Sequence, residues 1–75
     1  MAKLPRLSGK EVIKALKKAG FIEVRQRGSH VIMIKQTANE KIPLVVPMHR
    51  EIDTGMLLEI IRQSKMNRDE FLGLL

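Results

Sequence analysis

The chain has 75 residues and no cysteine, which predicts a single domain over 1–75 and excludes disulfides, thiolate nucleophiles and thiolate metal ligands. Hydrophobic residues make up 44% of it, enough for a packed globule, and the longest apolar run, 42–48, is far short of the ~20 residues that span a membrane. The net charge is +6 and lies unevenly: residues 1–35 carry nine basic and two acidic side chains, residues 36–75 five and six. A basic half suits a polyanionic partner, most often nucleic acid. The bland alternatives are an acidic protein partner or a merely solvated basic surface. The first six residues lack the apolar core of a secretory signal, so the expected location is the cytoplasm.

In chain order, Ser8-Gly9-Lys10-Glu11 has the spacing of a capping box. The helix it opens is predicted to run to about Ala19, with Gly20 as a left-handed cap. Val12, Ile13, Ala15, Leu16 and Ala19 fill one side of the wheel; Lys10, Lys14, Lys17 and Lys18 fill the other. The apolar stripe is core. The lysine stripe is either a solvated face, the commoner meaning of such a run, or a ridge that tracks phosphates.

Phe21 to Arg27 alternates as a strand, with Ile22 and Val24 on one face and Glu23, Arg25 and Arg27 on the other. Gly28-Ser29 predicts a two-residue hairpin turn with glycine at the first central position of type II′. The returning strand is His30 to Lys35, in a register that sets Arg27 across from His30 and Arg25 across from Ile32. Gln36 to Lys41 reads as a loop, and Ile42 to Pro47 as a third strand that its two prolines assign to a sheet edge. After a connector, Met48 to Asp53, a second helix capped by Thr54 or Asp53 runs to about Ser64 with Leu57, Leu58, Ile60 and Ile61 on its apolar side. Asn67, with Glu70 three residues on, caps a last short helical turn that leads into Phe71 and Leu75. The order α-β-β-β-α predicts an α+β fold with helices on one face of a three-stranded antiparallel sheet. A double-stranded RNA-binding domain has the same order.

Little in this composition carries chemistry. Histidine is the side-chain type that ordinarily titrates around neutral pH, and there are two, His30 and His49. They lack the clustering of a metal site, and no metal or small-molecule cofactor is expected. No nucleophile elbow and no phosphate-cradling glycine loop is present, and both Phe residues read as core rather than as stacking platforms. His30 beside Arg25 and Arg27 remains. A neutral imidazole can take the proton of a ribose 2′-hydroxyl, which then attacks the adjacent phosphate while cations steady the phosphoryl charge. A lone histidine at a hairpin is also often structural.

The segment from Lys18-Ala19-Gly20-Phe21 through Arg25-Gln26-Arg27-Gly28-Ser29-His30, then Val46-Pro47-Met48-His49 and a helix after Gly55, resembles the HicA family of toxin ribonucleases. The resemblance extends from Ser8 to Leu75. It implies a double-stranded-RNA-binding-like fold, cleavage of messenger RNA, and silencing by a HicB-type antitoxin that covers the active face. It also implies that the histidine of Gly-Ser-His, here His30, is catalytic. Lys10, Lys14, Lys17, Arg25, Arg27, Ser29 and His49 are then the candidates for RNA contact, His49 also as a proton partner or a structural residue. Two positions depart from the family pattern: Met56 stands where threonine is usual, and Lys65 where a glycine commonly ends the helix. A non-catalytic double-stranded RNA-binding module is the alternative that fold order and charge also permit.

Overall fold

The computed structural model describes residues 4–75; residues 1–3, part of the segment read as lacking a secretory signal, lie outside the described residues. Helix α1 spans Gly9–Lys18, and its Ser8–Glu11 capping box is formed in both directions. Ala19 closes it and Gly20 follows at φ 103°, the left-handed conformation a glycine adopts without a Cβ clash. Three strands follow, β1 (Ile22–Arg27), β2 (His30–Gln36) and β3 (Lys41–Pro47), then α2 (Thr54–Gln63) and the short α3 (Arg68–Leu72). Asp53 caps α2 by accepting from the Met56 amide, and Asn67 with Glu70 forms a second capping box at α3. Lys65 lies at φ 65°, a left-handed conformation held by a non-glycine whose Nζ reaches Glu40 at 2.8 Å.

The sheet is antiparallel in the order β1-β2-β3, which leaves the proline-bearing β3 at an edge. The core lies on one face, where Val31, Met33, Ile42, Leu44 and Val46 meet Val12, Ile13 and Leu16 of α1 and Leu57, Ile60 and Ile61 of α2. Phe21 and Phe71 are both fully buried in it. Leu58, expected on the apolar side of α2, is 39% exposed instead, and the buried position near the helix end is Ser64, whose Oγ donates to the Ile61 carbonyl at 2.6 Å. A bridge between Leu7 and Ile52 ties the segment before α1 to the connector before α2.

The alternation expected along β1 does not hold. The pairing runs Glu23↔Met33 and then Arg25↔Ile32, so Val24 is an unpaired extra residue, a β-bulge. The bulge moves Glu23 onto the helix side, where its carboxylate meets Lys17 Nζ at 3.3 Å. It also leaves Ile22 and Val24 61% and 48% exposed rather than in the core. Beyond the bulge the predicted register stands: Arg25 opposite Ile32, and Arg27 opposite His30.

Candidate active site

The Gly28-Ser29 turn is built as its residues require. Gly28 has φ 58°, as the first central residue of a type II′ turn must, and the Gln26 side-chain amide donates to its carbonyl at 3.1 Å. His30 follows at the start of the middle strand, exposed, between Arg27 on one side and Pro47 on the other. Two backbone bonds then fix the segment after Pro47. The Met48 amide donates to the Ser29 carbonyl at 2.6 Å, and the Gly9 amide donates to the His49 carbonyl at 2.9 Å. The turn, the end of β3 and the start of α1 are thereby held as one unit.

This unit forms a cavity of about 320 Å³ that includes both histidines, at the low end of small-molecule sites, which run about 300–1,000 Å³. Val45 and Pro47 of β3 make one wall; Met56 and Ile60 of α2 make the other. Glu59 and Gln63 stand at its polar edge. Arg62 Nε donates to the Glu59 carboxylate at 3.0 Å, a second guanidinium nitrogen joins it, and Gln63 Nε2 donates to Oε2 at 3.0 Å. Arg62 first, then Gln63, hold the Glu59 carboxyl below its ordinary value, so it is an anion with defined partners.

The candidate RNA-contact residues fall into two groups. Lys10, Lys14 and Lys17 line a shallow groove that includes Glu23 and Met48. Lys10 and Met48 also line the next depression, together with Ser8, His49 and Arg50, and His49 in turn lines the cavity with His30. Lys10 and Met48 thus join the lysine groove to the depression that holds His49. Among the described residues, Lys17 is the one of the three with a carboxylate partner, Glu23 at 3.3 Å. Arg25 and Arg27 belong to the second group, exposed on the sheet face away from the core beside His30. Ser29 is exposed in the turn itself.

Arg50, Glu59 and Gln63 did not stand out in the sequence, and Met56 did so only as a departure from the family pattern. The i,i+3 and i,i+4 spacing of Glu59 with Arg62 and Gln63 signals the side-chain triad, but only the packing of α2 beside β3 brings it to His30. Among the described residues, no three His, Cys, Asp or Glu side chains converge in the manner of a metal site. No described helix is long and apolar enough to cross a membrane.

No curated protein is similar enough in sequence to count as a match. A family model described as HicA toxin of bacterial toxin-antitoxin matches residues 9–66.

Proposed function

The chain belongs to the HicA toxin family, and from that premise we propose an endoribonuclease that cleaves single-stranded stretches of messenger RNA in the cytoplasm with its own side chains. Family membership makes it the toxin of a toxin–antitoxin system, with an antitoxin as partner. The observation that carries the enzymatic reading is the shared cavity: His30 and His49 line one depression, and His49 also lines the adjoining one with Lys10 and Arg50. Residues 1–75 act together as one domain in this reading.

The His30 imidazole takes the proton of a ribose 2′-hydroxyl, and the freed oxygen attacks the adjacent phosphorus. The bond from phosphorus to the 5′-oxygen breaks, and that oxygen leaves with a proton for which His49 is the candidate donor. The products are a 2′,3′-cyclic phosphate and a 5′-hydroxyl. Arg25, Arg27 and the Ser29 hydroxyl contact phosphate beside His30; Lys10, Lys14 and Lys17 guide the chain toward it, and cations near the phosphoryl oxygens steady their growing charge.

The same reading assigns the open sheet face to a HicB-type antitoxin. Ile22 and Val45 are 61% and 43% exposed there, with Ile32 and Ile34 half-buried between them. Apolar surface of this kind, flanked by Arg25 and Arg27, suits a protein partner with apolar and acidic groups better than it suits RNA. A partner seated there covers His30. A non-catalytic RNA-binding module would share the fold and charge, and it would bind RNA without cleaving it.

Incubation with messenger RNA in excess EDTA tests the activity. Cleavage that leaves 2′,3′-cyclic phosphate ends is expected. Ends with a 3′-hydroxyl, a strict magnesium requirement, or binding without cleavage would overturn it.

A further inference from the structure

The cavity beside His30 is larger and more differentiated than proton transfer requires. Its apolar lining is aliphatic, the exposed Val45 and Met56 together with the buried Pro47 and Ile60, and Glu59 and Gln63 supply its polar groups. Flat nucleobases are held between apolar side chains and read by hydrogen bonds at their edges. With no Trp or Tyr in the chain and both Phe residues buried, aliphatic walls are what the protein has for gripping a base. Met56, 41% exposed and unbranched, can adjust to the faces of different bases.

The edge has a defined polarity. Gln63 turns its Nε2 toward the Glu59 carboxylate, because a carbonyl oxygen there could donate nothing. The other end of the same amide, Oε1, is an acceptor, as are the oxygens of Glu59. Arg62, which also holds Glu59, does not line the cavity. We infer that this cavity is a nucleobase subsite for the nucleotide whose 2′-hydroxyl faces His30, and that Gln63 and Glu59 select bases bearing an exocyclic amino group over uracil. Adenine, cytosine and guanine each offer an N–H₂ donor, whereas uracil offers one N–H flanked by two carbonyls that a carboxylate repels. The inference rests on the ribonuclease reading above.

A pool of random single-stranded RNA, cleaved by the protein and sequenced at the cyclic-phosphate ends, measures the preference directly. In wild type, uracil is expected to be depleted about 3- to 10-fold at the terminal nucleotide, the scale of one or two hydrogen bonds in discrimination. Gln63→Leu should flatten that bias, and Gln63→Lys, which places a donor where the acceptor stood, should shift it toward uracil. Gln63 is exposed, so a thermal midpoint within a few degrees of wild type is expected for both variants. Lys14→Gln should lower cleavage alike for all four bases, as loss of a phosphate contact does. Equal use of all four bases by wild type, or a bias unchanged in both Gln63 variants, would overturn the subsite and leave the ribonuclease reading standing. A pool left uncleaved would overturn both.

Discussion

At Gly9 the first turn of α1 passes so close to the end of β3 that a Cβ would stand 2.9 Å from Met48 Cα and nearer still to the Pro47 carbonyl oxygen. The Gly9 amide uses this approach to hold the His49 carbonyl at 2.9 Å. Gly9→Ala must push backbone against backbone, which no rotamer change relieves, and overpacking of this kind costs about 1–3 kcal/mol. The expected result is a urea midpoint lowered with an unchanged slope, and an RNA-cleavage rate reduced beyond the loss of folded protein because His49 is displaced. An unchanged midpoint would mean that the helix start and β3 separate easily. Single-sequence reading gave Gly9 no role beyond the capping box, because close approach between distant segments leaves no periodic trace. Lys65 is the opposite case: the family resemblance marks it as either a left-handed residue or a shifted helix end, and it lies at φ 65°.

Among elements, α1 shows how far amphipathicity goes. Its buried Val12, Ile13, Ala15 and Leu16 and its exposed Lys10, Lys14, Lys17 and Lys18 follow the wheel. What the wheel could not show is that the lysine side adjoins the His49 depression through Lys10 and Met48. If the ridge tracks RNA, replacing Lys10, Lys14 and Lys17 by glutamine should weaken binding and flatten its salt dependence. Each lost phosphate contact reduces the log–log slope by about 0.7 for a single strand. Lys17, already paired with Glu23, should account for the smallest part of that change. An unaltered slope would make the ridge a solvated face. The strands divide similarly. The hairpin register was legible, since Gly28-Ser29 admits one two-residue turn and so one pairing of Arg27 with His30. The bulge at Val24 was not, because an inserted residue in a short strand looks like ordinary alternation until its partner strand is seen.

In the whole molecule, the capping boxes, the strand order and the candidate His30 were all readable from local spacing, whereas the cavity was not, because β2, β3, the connector and α2 each supply part of it. Two roles for His30, a group serving the fold and a group serving chemistry, make opposite predictions for its truncation. His30 is exposed at the end of a hairpin, so its truncation removes little packing. Leu16, fully buried, makes the contrast: Leu16→Ala should cost about 2–5 kcal/mol. The decisive measurement is the RNA-cleavage rate and the thermal midpoint of His30→Ala, taken on one preparation. Loss of a general acid–base group lowers rate about 10²–10⁴-fold, so cleavage should fall by that factor while the midpoint stays within a few degrees of wild type. A well-folded His30→Ala protein that cleaves RNA at the wild-type rate would contradict the assignment of His30 as the catalytic residue.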